Sequence, residues 1–219
     1  MVISEKFYEA VADYLYLLER NYPSKSMLKL VGDKYALPSH ERVMLYRGLA
    51  TDSMLKTRRR KQILNLTVAM PVFIDGFNVC RTIGSYLNGN FIFEGMDGFL
   101  RDVSELHRKK LSWPILERAL RLIILFLKNN SAGEVYFYFD KPISHSGKMV
   151  ELCHDFLKEY HLKGSAETVF SPDYCLTEVK SGIVCTADSH IIDQSKVSVF
   201  DLARAVLNTN FNPRIFSLK

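Results

Sequence analysis

Five aspartates of this 219-residue sequence follow apolar stretches, where their carboxylates could act together. They are Asp75, Asp140, Asp173, Asp188 and Asp201. In a parallel sheet, residues just beyond the carboxyl ends of neighbouring strands lie along one edge, where α/β proteins bind their ligands. Unpaired carboxylates at such an edge repel one another, and a bound divalent cation removes that cost. Because no His or Cys occurs at ligand spacing, the oxygen ligands favour Mg²⁺ or Mn²⁺ over zinc.

Asp75 and Asp188 are the strongest candidates for metal ligands. Asp75 precedes Gly76, whose missing side chain would let a backbone or a phosphate come close. Asp188 lies in a Thr-x-Asp turn, and a further acid, Asp193, follows five residues later. We therefore expect Asp75 and Asp188 to bind a ligand rather than only to cap the helices that follow them.

Two other acids at strand ends have structural alternatives. Asp201 precedes the helical stretch "LARAVL", and an N-cap is the favoured interpretation. Asp140 is followed by Lys141 and Pro142, so a turn residue and a ligand explain it equally well.

Strands and helices that could position these acids alternate along the chain. Apolar, strand-like stretches occur at 66–74, 134–139, 167–170, 182–187 and 197–200. Helical stretches occur at 114–128, 146–160 and 202–208. This alternation predicts an α/β fold, a mostly parallel sheet with helices on both faces.

Charge separates the beginning of the chain from the rest. Residues 1–61 carry 12 Lys and Arg and 7 Asp and Glu, whereas residues 62–219 carry 17 of each. We predict a small basic all-α domain at 1–55, a basic linker "KTRRRKQ" at 56–62 and the α/β domain at 63–219. The basic run is either a solvated linker or a contact for a polyanion.

The N-terminal domain is predicted to contain three short helices. The second begins after Pro23 and ends at Gly32, and the third ends at Gly48. A helix-turn-helix DNA reader is disfavoured, because the seven residues from Gly32 to Pro38 exceed its usual turn. An RNA-binding or packing element is preferred, with a protein partner or a second copy of the chain as the alternative contact.

The cysteines and the apolar stretches indicate the compartment. The four cysteines form no C-x-x-C pair, so neither a zinc knuckle nor a disulfide framework is predicted. Charged residues near the N-terminus interrupt any secretory signal, and the apolar stretches are too short to span a bilayer. We expect a cytoplasmic protein with no membrane association.

Two motifs resemble those of the PIN and NYN nuclease superfamily. "VFIDGFNV" (72–79) resembles its first strand, which delivers a metal-binding aspartate, and "GIVCTADSHIID" (182–193) is similar to its later acidic strand. The whole chain resembles an uncharacterised prokaryotic family in which a helical domain of unknown function precedes a PIN-like domain. That likeness rests on "DGFLRD" (97–102), "SHSG" (144–147) and "FDLAR" (200–204).

The resemblance implies a Mg²⁺- or Mn²⁺-dependent endoribonuclease. It implies catalytic roles for Asp75, Asp188 and Asn78. It implies metal ligands among Asp75, Asp97, Asp173, Asp188 and Asp193, with the second acid left open between Glu94, Asp97 and Asp102. Candidate phosphate contacts are Arg101, Ser146 and Lys148, together with Arg58, Arg59 and Arg60 of the basic run.

Other functions and roles stay open. The competing function is a catalytically inactive PIN-like module that binds RNA or serves as a protein adaptor. A haloacid-dehalogenase-type phosphohydrolase is weaker, because its Asp-x-Asp strand end does not occur here. Without paired ligand spacing, the histidines are expected at the surface or in supporting roles, and Trp113 in the core. The sequence does not reveal the oligomeric state or the RNA target.

Overall fold

The computed structural model describes residues 3–66, 69–103 and 111–219. The helices in these ranges are α1 (Glu5–Glu19), α2 (Ser24–Lys34), α3 (Ser39–Gly48), α4 (Asp52–Lys61), α5 (Gly76–Leu87), α6 (Trp113–Asn129), α7 (Ser146–Glu159), α8 (Pro172–Thr177), α9 (Ser189–Gln194) and α10 (Leu202–Asn210). None of the helices in these ranges has the length and apolar character needed to cross a bilayer.

The strands form two sheets. They are β1 (Gln62–Ile63), β2 (Val72–Asp75), β3 (Ile92–Glu94), β4 (Leu100–Asp102), β5 (Val135–Asp140), β6 (Gly164–Val169), β7 (Ile183–Cys185), β8 (Ser198–Phe200) and β9 (Phe216–Ser217). The large sheet has the order β1-β8-β7-β2-β5-β6 and its neighbours all run parallel. The small sheet has the order β4-β3-β9. The predicted fold class, a parallel α/β sheet preceded by an all-helical region, is confirmed.

The predicted strand at 66–74 is shorter in the structure. It begins only at Val72, and residues 67–68 lie outside the described ranges. Ala69 has a left-handed φ of 61°, and Pro71 has no N–H to donate to a neighbouring strand. These two residues explain why the chain joins the sheet late.

The main core lies between one face of the large sheet and four helices. Val135, Phe137 and Phe139 alternate along β5 and are fully buried against α5, α6, α7 and α10. The other face is covered by the short helices α8 and α9, where Leu176 and Ile191 pack against β2, β5 and β7. Helices therefore flank both faces, as predicted.

The N-terminal helices share a core with the small sheet. Phe7, Tyr14 and Met44 are buried in one cluster with Phe93 of β3, and Phe216 of β9 packs against that cluster. This contact joins the first segment of the chain to its last strand. The helical region is thus packed onto the α/β region and shares a hydrophobic cluster with it.

The turn between α2 and α3 is shorter than predicted, because α2 continues through Gly32 to Lys34. Only residues 35–38 separate the two helices. The buried positions of α3 are Glu41, Val43, Met44, Leu45 and Gly48. A helix buried over so much of its surface cannot present a face to a DNA groove, so the structure disfavours the DNA reader for this different reason.

The basic run at 56–62 is a helix rather than an extended linker. Residues 56–61 are the second half of α4, which begins after the N-cap Thr51. Helical periodicity turns Arg58 inward, where it is 4% exposed, and leaves Arg59 and Arg60 exposed. The Nη1 atom of Arg58 donates to Asp97 at 2.7 Å, and its Nε and Nη2 atoms donate to Asp193, each at 2.7 Å.

Arg58→Gln should destabilise the fold much more than Arg59→Gln. Removing one partner of a buried ion pair costs about 3 kcal/mol or more, whereas an exposed substitution changes stability by about 0.5 kcal/mol or less. Urea unfolding of the two variants and the parent checks the prediction. Equal, small losses in both variants would contradict a structural role for Arg58.

Candidate functional site

The centre of the large sheet is a topological switch point. The chain runs from β2 to β5 and β6 on one side of β2, then returns to β7 on its other side. In parallel sheets, ligands bind in the crevice outside the carboxyl ends of the strands at such a point. Asp75 is the last residue of β2, and Asp188 follows β7 in the turn that leads to α9.

Asp75 is buried, and each of its two carboxylate oxygens accepts a hydrogen bond. Its Oδ2 atom accepts a hydrogen bond from the Thr186 hydroxyl at 2.9 Å, and its Oδ1 atom accepts one from the backbone N–H of Asn78 at 3.4 Å. Burial raises the pKa of Asp75 to about 7, the Thr186 hydrogen bond opposes this, and the charges of Asp188 and Asp140 add to it. Asp75 is therefore the N-cap of α5 and also an acid whose ionisation is suppressed.

The Thr186 hydroxyl connects Asp75 to the turn that carries Asp188. Besides donating to Asp75, it accepts a hydrogen bond from the Asp188 amide at 3.0 Å. The Oδ1 atom of Asp188 caps α9 by accepting from the amides of His190 at 2.8 Å and Ile191 at 3.3 Å. Within the described residues its Oδ2 atom accepts no hydrogen bond, so one oxygen of Asp188 is available to a ligand.

Polar side chains bond both the N–H and the C=O of Ala187, next to Asp188. The Ala187 amide donates to Asn78 Oδ1 at 3.0 Å, and the Ala187 carbonyl accepts from Arg101 Nε at 3.0 Å. Arg101 also donates to Ser189 Oγ at 3.1 Å and makes two hydrogen bonds of 2.7 Å with Asp97. The Asp188 turn is thereby fixed relative to β2.

Four carboxylates gather at this edge of the sheet: Asp75, Asp140, Asp173 and Asp188. Partial burial raises the pKa of Asp173, and the charges of Asp188 and Asp140 raise it further, against a smaller opposing effect of His190. Among residues 3–66, 69–103 and 111–219, no Lys, Arg or His lies within ion-pair distance of these four groups. In the described part of the chain, the cluster therefore has no cation that forms an ion pair with it.

These carboxylates belong to the lining of a cleft of about 1030 Å³, which also contains the acids Asp102, Glu151 and Asp155. The cationic residues of its lining are Arg47, Arg81 and Lys148. Arg47 belongs to α3, so the N-terminal region contributes to the cleft. Acidic and basic side chains thus face the same space.

The structure brings together only part of the predicted site. The predicted residues that line the cleft are Asp75, Asn78, Lys148, Asp173 and Asp188. Asp97 and Asp193 do not join them, because both are ion-paired with Arg58 and Asp97 also with Arg101. Burial opposes the ionisation of Asp97, but Arg101 and Arg58 outweigh it and lower the pKa of Asp97.

Most of the predicted phosphate contacts also lie outside the cleft. Arg101 and Arg58 are buried in the ion-pair network, and the Ser146 hydroxyl donates to the Lys141 carbonyl at 3.2 Å. Arg59 and Arg60 are exposed on α4 but do not line the cleft. Of the predicted phosphate contacts, only Lys148 lies in the cleft wall.

The structure also shows the positions of the acids whose roles the sequence left undecided. Asp102 lines the cleft and accepts a hydrogen bond from the Thr82 hydroxyl at 3.3 Å, whereas Glu94 pairs with Arg204 and Lys219. Asp140 lines the cleft. Asp201 accepts from the Arg204 amide at 2.9 Å, which confirms it as an N-cap.

Several cleft residues were not predicted from the sequence. Arg81 follows Asn78 by about one turn of α5, a spacing that could have indicated it. Arg47 gave no such signal, because it comes from another part of the chain. Trp113, predicted in the core, is partly buried and packs against the main hydrophobic cluster. Its ring also lies edge-on to that of His145 in the cleft wall, with 6.4 Å between the ring centroids.

Gly76 is required by the close approach of a side chain. A Cβ atom at Gly76 would lie 2.4 Å from the ring of Phe139, the residue before Asp140. The close packing of the start of α5 against β5 therefore explains the glycine after Asp75. The near neighbour is thus a side chain and not the backbone that the sequence suggested.

Asp75 should make stability depend on pH. Its pKa is about 7 in the folded state and about 3.9 when unfolded, so stability is lost as pH rises between these values. Asp75→Asn removes this titration. In EDTA, urea unfolding should show the variant gaining about 2 kcal/mol relative to the parent between pH 5 and pH 7. A difference that does not vary with pH would contradict the prediction.

Similarity to known proteins extends over most of the chain. Residues 6–61 match the family described as "Protein of unknown function (DUF434)", and residues 66–205 match "Domain of unknown function (DUF5616)". An uncharacterized protein of Methanocaldococcus jannaschii, MJ0935, is 29% identical over 196 residues, which cover 89% of this chain and 93% of that protein. No solved structure matches. The match over residues 66–205 shows that the chain belongs to the DUF5616 family.

Proposed function

We propose that the chain is a Mg²⁺- or Mn²⁺-dependent ribonuclease that hydrolyses phosphodiester bonds in RNA. The observation that carries the proposal is the cluster of Asp75, Asp140, Asp173 and Asp188 at the switch point of the sheet. Such a cluster costs free energy unless a cation joins it. RNA as the substrate class comes from the resemblance to PIN and NYN nucleases.

The donor atoms of the cleft suit a hard divalent cation bound by few protein ligands. In the described part of the chain, no three His, Cys, Asp or Glu side chains are grouped closely enough to hold one metal ion. Mg²⁺ is commonly bound by one or two carboxylates, with waters and substrate phosphates completing its coordination. Asp188, with one available oxygen, and Asp75 would hold it. An ion bound there lowers the pKa of a water and neutralises charge on the phosphate.

The remaining acids of the cluster would accept or donate protons during the reaction. Asp173 and Asp140 line the cleft beside Asp188, and the pKa of Asp173 is raised. A carboxylate whose pKa is closer to neutrality is a better general base than an ordinary aspartate. Asp173 is therefore the preferred acceptor of a proton from the attacking water, and its side chain is exposed enough to exchange that proton with solvent.

The cationic side of the cleft would bind the phosphates of the strand. Arg81 and Lys148 are exposed and line the same space as the carboxylates. Arg guanidinium groups and Lys ammonium groups are the usual protein contacts of phosphate oxygens. Because Asp188 and Lys148 line the same cleft, a phosphate bound there would find a metal-binding acid and a cation within one space.

A second candidate is an RNA-binding module of the same fold without catalysis. It is favoured by the hydrogen bonds of Asp75, which occupy both carboxylate oxygens, and by the N-cap role of Asp188. In this alternative the cationic wall binds RNA, and the acids serve the local structure. Metal-dependent cleavage distinguishes the two candidates.

Asp188→Asn should abolish divalent-dependent cleavage of single-stranded RNA while RNA binding persists. Mn²⁺ at ten times its Kd should raise the unfolding free energy of the parent by about 1.4 kcal/mol, and should raise that of the variant much less. Gel assays of labelled RNA with Mn²⁺ or EDTA, and thermal unfolding, check both expectations.

Asp193→Asn is the matched control for this experiment. Asp193 lies on the same short helix but outside the cleft, so the variant should still cut RNA while losing stability with its Arg58 ion pair. Absence of cleavage by the parent on varied RNAs, with binding intact, would favour the RNA-binding module.

Arg81→Gln combined with Lys148→Gln should flatten the dependence of log K on log salt for single-stranded RNA. Each phosphate contact contributes about 0.7 to that slope, so the double variant should reduce it by about 1.4. Arg59→Gln combined with Arg60→Gln removes the same charge from α4, outside the cleft. A slope that flattens only in the α4 variant would place the phosphate contacts on that helix instead.

A further inference from the structure

Two aromatic side chains project into solvent beside the acidic cluster. Phe170 is 79% exposed and Tyr174 is 69% exposed. Phe170 directly follows the end of β6, and Tyr174 lies in the first turn of α8. Rings left this exposed contribute little to the core, so packing does not explain why aromatic residues occupy these positions.

The stretch that carries the two rings reaches the cleft through Asp173. Val169 is paired with Asp140 across β5 and β6, so Phe170 comes just beyond that acid. Asp173, between the two aromatic residues in sequence, lines the cleft and is affected by the charges of Asp188 and Asp140. An RNA strand that leaves the carboxylates on this side of the cleft would pass residues 170–174.

Two hydrogen bonds fix the backbone on either side of Phe170, and a cation lies close to its ring. The Ser171 hydroxyl accepts from the Tyr174 amide at 3.2 Å, and the Lys141 amide donates to the Val169 carbonyl at 2.8 Å. The Lys141 ammonium group lies 4.6 Å from the centre of the Phe170 ring. The stretch is thus anchored at its base, and a positive charge lies beside one of its rings.

We propose that Phe170 and Tyr174 form a stacking platform for unpaired bases of the single-stranded RNA whose phosphates occupy the cleft. This inference rests on the proposed function. Aromatic rings stack on any base, and a nearby cation attracts the phosphate that follows it. Paired bases in a duplex cannot reach such rings, so the platform makes the site select single-stranded over double-stranded RNA.

The surroundings of the rings favour a nucleic acid over a protein partner. Between 164 and 185, Phe170 and Tyr174 are the large hydrophobic side chains with high exposure, and polar Ser171 and Asp173 lie between them in sequence. The core of a protein interface is depleted of charged residues. Two separated rings next to a charged cleft instead match the pattern of stacking surfaces and backbone-tracking cations in proteins that bind single strands.

The test measures RNA affinity with the full chain carrying Asp188→Asn, so that the RNA stays uncut. Phe170→Leu and Tyr174→Leu are added together, because leucine keeps apolar volume but removes the aromatic face. Loss of stacking should raise the Kd for a labelled single-stranded RNA by about fivefold to a hundredfold for each base that stacks on the two rings. The salt slope and the affinity for duplex RNA should not change, since no phosphate contact is removed.

Tyr16→Leu with Tyr46→Leu is the matched control, because both rings are more than half exposed on the N-terminal helices. This pair should leave the Kd unchanged. If the Phe170 and Tyr174 variant binds single strands as tightly as its parent, or loses duplex and single-strand affinity equally, the platform is overturned while cleavage by the wild type still supports the ribonuclease. If the wild type neither binds nor cuts RNA, the platform and the proposed function both fail.

Discussion

The buried ion pair between Arg101 and Asp97 determines where Asp188 lies. Arg101 is fully buried, and its guanidinium group bonds Asp97, the Ala187 carbonyl and Ser189 Oγ at once. A buried guanidinium needs a counter-charge, which Asp97 supplies, and its remaining N–H groups need acceptors, which the turn supplies. The geometry of the candidate site therefore depends on a pair that does not itself line the cleft.

Two kinds of acid lie near one edge of the sheet, and their partners separate them. Asp97 has guanidinium groups on two sides, and the pKa of its carboxyl is lowered despite burial. Asp75 has only neutral donors, and burial raises its pKa to about 7. The first acid is held as a stable anion within the fold. The second ionises more readily when a cation is near, which is how a carboxylate that binds a metal behaves.

The sequence was sufficient for the pattern of strand-end acids but not for their partners. Alternating apolar stretches predicted the parallel sheet, and therefore that Asp75 and Asp188 would meet at one edge. Nothing local indicated the pairs of Arg58 with Asp97 and Asp193, because these acids lie 39 and 135 positions away. The one local indication was Arg101, four positions after Asp97. The helical period of α4 could have shown that one arginine of the run turns inward, but not which acids it would meet.

The cleft depends on both segments of the chain, although family similarity divides them. α3 contributes Arg47 to the cleft wall, and α4 contributes Arg58, which holds Asp97 and Asp193. Lys61 adds hydrogen bonds to the carbonyls of Ile192 and Asp193 on α9, the helix that Asp188 caps. Some of the cationic side chains of the N-terminal segment thus hold the acidic edge of the sheet in position. Its helices therefore act as a structural part of the site, whatever else their exposed surface contacts.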